Sequence, residues 1–153
     1  ALPGPRYYIA TMRPYGEESL GRVVRHRAMR AEKGFVTMER YTGLAEVRLP
    51  EPNGVALVEC LCNLTANELF DPDGAGSENA EAAVLAGLNS LAQQCATLIV
   101  VTNEVGADGG CYEAPVRYYI RTLNSLNRRL AAGYDQVAEL VCGIPIWLKG
   151  GQG

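Results

Sequence analysis

The sequence predicts an α/β fold: one mostly parallel sheet covered by helices on both faces. Three observations carry this. Apolar residues come in short continuous runs rather than in alternation, as in strands buried on both sides. Segments with apolar residues at three- and four-residue steps separate the runs, which is the order of strands and crossover helices in a parallel sheet. The turn clusters PNG (52–54), DPDGAG (71–76) and GADGG (106–110) punctuate them. With 153 residues, 48% of them hydrophobic, the chain supports one domain (1–153) with its own core.

The first strand is YYIAT (7–11). EESLGRVVRHRAMRAE (17–32) follows as a helix, with Leu20, Val23, Val24 and the Arg27 stem on one side and Arg22, His26 and Arg30 along another. GVALVECL (54–61) is a second strand, and NLTANELF (63–70) a short helix capped by Asn63. ENAEAAVLAGLNSLAQQ (78–94) repeats Ala82, Leu85, Leu88, Leu91 and Ala92 at helical steps. TLIVVTNEV (97–105) is the next strand. APVRYYIRTLNSLNRRLAAGY (114–134) brings together Val116, Tyr119, Ile120, Leu123, Leu126, Leu130 and Ala131 as a helix, with Pro115 near its start and Gly133 near its end. QVAELVCGIPIWL (136–148) reads as a last buried strand.

Composition excludes several classes. A net charge of −3 argues against a general nucleic-acid binder, so any basic site is local. No run approaches the ~20 apolar residues of a membrane helix, and ALPGPRYYIAT lacks the regions of a signal peptide. The five cysteines show no paired metal spacing, and with a single histidine they read as buried reduced thiols of a cytoplasmic protein rather than a zinc site.

Open parallel sheets bind ligands beyond the carboxyl ends of their strands. There the first strand ends in Thr11, VALV ends in Glu59, and TLIVV ends in Thr102, Asn103 and Glu104. An acid closing an apolar strand suits Mg²⁺ support; the bland alternative is a carboxylate that caps the next helix or meets water. His26, the only histidine, stands four residues from both Arg22 and Arg30. Two guanidinium groups on its helix face attract phosphate, which suits a histidine that attacks a nucleoside triphosphate. A solvated basic helix is the competing reading.

Taken in order, YIAT (8–11), RVVRHRAMR (22–30), TME (37–39), LVECLCNLTANELF (57–70), VVTNEVG (100–106), LNRRLAA (126–132) and VCGIPIWLK (141–149) resemble the adenosylcobinamide kinase/adenosylcobinamide-phosphate guanylyltransferase family of cobalamin synthesis. The resemblance implies a P-loop NTPase-like (RecA-like) three-layer fold and two reactions at one nucleotide site. One phosphorylates adenosylcobinamide with GTP or ATP. The other moves GMP from GTP onto that phosphate through a guanylylated histidine. Carried over by motif, His26 is the nucleophile, and Arg22 and Arg30 are phosphate partners. Glu39 contacts the nucleotide, and Glu59 serves Mg²⁺ or the nucleotide. Thr11 borders the pocket, with Asn103 and Glu104 at its edge. A cytoplasmic homotrimer is also implied.

Two departures stand out. The family's phosphate-cradling GGxxSGKS loop has no counterpart in these residues, and the expectation is that it and its strand lie upstream of Ala1, so that this polypeptide by itself is inactive. After TNEVG the chain reads ADGGCYEAPVRYYIR in place of the family's GIVPEN and R-x-F-R-D, so corrinoid contacts do not transfer to residues 106–116. Competing functions are a P-loop kinase of another small alcohol, with His26 only a phosphate contact, and a non-catalytic remnant acting in assembly or nucleotide sensing.

Overall fold

A computed structural model of the chain describes residue 2, residues 4–106 and residues 109–151, the side chains at 16–19 excepted. Strands β1 (Arg6–Ala10), β2 (Phe35–Glu39), β3 (Val55–Glu59) and β4 (Thr97–Val101) form one sheet in the order β2-β1-β3-β4, and every pairing in it is parallel. The chain steps from β1 to β2 on one side, then crosses back to place β3 on the other. The carboxyl ends of β1 and β3 therefore flank a topological switch point, where open α/β sheets hold ligands.

The helices are α1 (Gly16–Glu32), α2 (Leu61–Phe70), α3 (Ala80–Ala92) and α4 (Ala114–Gly133), with a short 3₁₀ turn at Leu44–Glu46. Side chains alternate across a strand. Tyr7 and Ile9 of β1 and Val58 of β3 join Leu61 and Leu64 of α2, Val84, Leu88 and Leu91 of α3, and Leu123 and Leu126 of α4 in one buried cluster. Tyr8 points the other way, where α1 packs: Arg30 of α1 stacks on its ring. Helices thus cover both faces, as the unbroken apolar runs predict. α3 lies so close to the 3₁₀ turn that a Cβ at Gly87 would fall 2.5 Å from the Leu44 Cβ.

Four sequence expectations are corrected. β2, FVTME, is a strand that the apolar-run criterion passed over because it is short and mixed in polarity. The run 54–61 ends as a strand at Glu59, and Leu61 already begins α2, so Cys60 rather than Asn63 is the N-cap residue. The run 136–148 is not one buried strand. It is an antiparallel hairpin, β5 (Val137–Val141) and β6 (Ile144–Lys149), turned by Cys142 and Gly143 with φ of 51° and 78°. Positive φ at both central residues gives the turn twist that two-residue hairpins favour. Its apolar side chains are exposed, Leu148 to 67% and Leu140 to 71%. Finally, Cys111 and Cys142 are exposed, so only part of the cysteine set is buried. Of the turn at 106–110, Ala107 and Asp108 lie outside the described residues.

Candidate functional site

Parallel register sets the site. Ala10 pairs with both Glu39 and Glu59, and Glu59 with Val101, so the last residues of all four strands form one row. Glu39 and Glu59 flank β1 two strand spacings apart, roughly 10 Å between Cα positions. The segments after the strands carry the row onward. The Arg40 N–H donates to the Ala10 carbonyl (3.0 Å), and the Thr11 N–H to the Glu59 carbonyl (3.2 Å).

Thr11 is fully buried, and its hydroxyl is engaged on both sides: it donates to the Cys60 carbonyl and accepts the Cys60 N–H, each at 2.8 Å. It supports the edge from beneath. Asn67, from α2, reaches under the same edge and donates to the carbonyls of Thr11 (2.8 Å) and Tyr41 (3.0 Å). The buried Glu68 accepts N–H groups of Gly43 (2.6 Å) and Ala75 (2.8 Å), so one turn of α2 organises three loops.

Helix α1 is tied to the sheet by arginines. Arg27 forms an ion pair with Glu39, and the Arg30 guanidinium lies 3.6 Å from the Tyr8 ring centroid. The apolar side predicted for this helix does not hold it, since Leu20 and Val24 are exposed. Arg27 meets the last residue of β2. His26 precedes Arg27 by one residue, and Arg22 lies five residues, about 7.5 Å of helix axis, toward the amino end of α1 from Arg27. Both are exposed. His26 shares its helix stripe with Arg22 and Arg30, one turn to either side.

Glu59 accepts a hydrogen bond from the Tyr8 hydroxyl. Burial first, then this carboxylate, pushes the Tyr8 phenol well above its ordinary pKa, so it remains a donor. Among the described residues no three His, Cys, Asp or Glu side chains stand close enough to share a metal ion. One hard carboxylate at the switch point suits Mg²⁺, which keeps waters and shares substrate phosphates, better than a caged Zn²⁺.

Asn103 and Glu104 follow β4 at the far end of the row and are exposed. The Asn127 amide of α4 donates to the Asn103 carbonyl (3.2 Å), and Thr102 donates to Asn127 Oδ1 (2.8 Å). The Asn103 N–H donates to the Cys62 sulfur at 3.3 Å. A hydrogen bond from the Cys60 thiol, aided by that N–H, holds the Cys62 thiol below the ordinary thiol range, while the same contact and burial raise Cys60.

Sequence reasoning did not single out Tyr8 or Asn67, and took Arg27 for part of a packing face. The doubled YY of β1 was the available signal for Tyr8, because alternation commits one of the two rings to the face opposite the core. Nothing local marks Asn67, whose partners come from two other segments.

A family model described as cobinamide kinase / cobinamide phosphate guanyltransferase matches residues 1–148. The bifunctional adenosylcobalamin biosynthesis protein CobU of Escherichia coli (strain K12) is 32% identical over 154 residues, spanning 93% of this chain and 84% of the relative. The protein of the same name from Salmonella typhimurium (strain LT2) is 30% identical over the same shares of the two chains.

Proposed function

The chain belongs to the cobinamide kinase / cobinamide phosphate guanyltransferase family, and from that premise we propose that it acts in cobalamin biosynthesis with both activities at one nucleotide site. In the first, the γ-phosphoryl group of GTP or ATP passes to the hydroxyl of adenosylcobinamide. In the second, the His26 imidazole attacks the α-phosphorus of GTP; a P–N bond forms and pyrophosphate leaves. An oxygen of adenosylcobinamide phosphate then attacks the same phosphorus, the P–N bond breaks, and adenosylcobinamide-GDP departs. A covalent relay of this kind divides one difficult displacement into two easier ones.

The observation that carries this reading is the ion pair of Arg27 with Glu39, which ties the turn of α1 that bears His26 to the end of β2, in the same row of strand ends as Glu59. Arg22 and Arg30 are the proposed cations for phosphate oxygens, where fixed positive charge counts most as negative charge develops. Glu39 is the proposed nucleotide contact, freed as Arg27 exchanges it for phosphate. Thr11 supports the pocket, and Asn103 and Glu104 form its far edge. Glu59 would hold Mg²⁺, which when bound neutralises phosphate charge. The same proposal includes a cytoplasmic homotrimer. Among the described residues no helix is long and apolar enough to cross a membrane.

The test is intact-mass analysis of the natural full-length protein after incubation with GTP and Mg²⁺, kept neutral to alkaline because phosphoramidates are acid-labile. One GMP per chain, mapped to His26 and lost in His26→Ala, is the expected result. An adduct that persists in His26→Ala, or none on the wild type, overturns the transferase reading.

A further inference from the structure

Two groups of opposite charge, the Arg30 guanidinium and the Glu59 carboxylate, come to the same face of the sheet on different elements. No ion pair joins them among the described residues. Tyr8 engages both. Its ring receives the guanidinium at 3.6 Å, its hydroxyl donates to Glu59, and its edge packs on Phe35 with centroids 6.4 Å apart and planes at 89°. Tyr8 is 6% exposed, so this ring has little freedom to move.

We propose that Tyr8 is a positioning residue of the nucleotide site: it seats Arg30 on its ring and one Glu59 oxygen on its hydroxyl, keeping cation and acid apart and available for phosphate and metal. This rests on the function proposed above.

The geometry explains why a tyrosine is needed. Tyr8 pairs with Leu57 in register, and Glu59 is two residues further along β3 on the same face, about 7 Å up the strand. A phenol spans that offset, whereas phenylalanine at this position would seat Arg30 and leave the acid unheld. An aliphatic residue would do neither, and would let guanidinium and carboxylate collapse into an ion pair that neutralises both. Arg30 also lies one helical turn from His26 on the same stripe, so a fixed Arg30 fixes the rotation of the proposed nucleophile's helix.

The experiment measures binding of a fluorescent N-methylanthraniloyl GTP to the full-length natural protein across a Mg²⁺ titration, with thermal unfolding recorded for each variant. Tyr8→Phe is expected to raise the Mg²⁺ half-saturation on the order of tenfold, the scale of a hydrogen bond to a charged group. At saturating Mg²⁺ its nucleotide affinity stays within about twofold of wild type, because the ring still carries the cation. Tyr8→Leu is expected to weaken nucleotide binding about fivefold or more as well, having lost the stacked guanidinium. In a Glu59→Gln background, Tyr8→Phe should cause no further shift, since the two changes remove one interaction.

A purely structural role for Tyr8 would lower the unfolding temperature without moving the Mg²⁺ curve. A Tyr8→Phe curve superimposable on wild type overturns the proposal, whether or not Tyr8→Leu folds. If the Mg²⁺ shift is found but the wild type forms no GMP adduct on His26, the positioning role stands and the transferase reading falls. A wild type that shows no Mg²⁺-dependent nucleotide binding overturns both.

Discussion

Replacing Asn67 tests the claim that α2 holds the sheet edge together. Its side-chain amide is the donor to two main-chain carbonyls, Thr11 after β1 and Tyr41 after β2. Thr11 is fully buried and Asn67 nearly so, and water cannot readily replace the lost donor. Each such bond is worth about 1 kcal/mol net, and a stranded buried acceptor costs about 1–3 kcal/mol, so Asn67→Ala should destabilise by about 3 kcal/mol. With a urea m-value of about 2 kcal/mol/M for a domain of this size, the unfolding midpoint should fall by about 1.5 M. Asn67→Asp preserves the shape but turns a carboxylate oxygen toward two carbonyl oxygens, and at pH 7 it should be worse than alanine. That excess should shrink as pH falls, because a protonated carboxyl can donate once more. The measurement is urea unfolding followed by far-UV circular dichroism at pH 7 and at pH 4.5. A midpoint shift under roughly 0.3 M for Asn67→Ala, or an aspartate variant no worse than alanine at pH 7, would refute the reasoning.

Further outcomes follow from the same geometry. Gly87→Val places a Cβ 2.5 Å from the Leu44 Cβ, and overpacking of this kind should cost about 1–3 kcal/mol, read as a lower thermal midpoint. Leu126→Ala, at a site with no exposed surface, should cost about 2–5 kcal/mol in the same assay. Arg27→Ala breaks a half-exposed ion pair and should change stability by less than about 1 kcal/mol. Amide exchange in residues 22–32 should nevertheless quicken, since this pair helps tie α1 to the sheet; unchanged exchange would count against that. Cys60→Ala removes the donor that chiefly lowers the Cys62 thiol. Its alkylation by iodoacetamide, followed by peptide mass, should therefore begin at higher pH than in wild type, because thiolate forms only as pH passes the raised value.

Much of the candidate site's placement was legible because the sheet is parallel. In such a sheet an apolar run followed by a polar residue marks its own carboxyl end, so Thr11, Glu59 and Asn103 declared their shared edge without knowledge of strand order. His26, Arg22 and Arg30 were legible as one stripe because helical period alone aligns residues four apart. The hairpin at 136–148 was misread for a local reason. Apolar continuity conceals a reversal when the turn needs only two residues, here Cys142 and Gly143, and one of them is not glycine. β2 was missed because none of its five residues is fully buried: three are partly buried and two exposed at the sheet margin, where no apolar run is required.

The sequence alone determined the alternation of strand and helix, the polar row at the strand ends and the basic helix with its single histidine. These depend on periodicity and on turn chemistry over a few residues. Only the tertiary structure decided which side chains meet across that row. Tyr8 and Glu59 are 51 positions apart, and they touch only because β3 crosses back to lie beside β1. Arg27 finds Glu39, and Arg30 finds Tyr8, only because α1 folds over the face opposite the main core. Such pairings depend on strand order and on the face each helix covers, and neither is written in the neighbourhood of the residues involved.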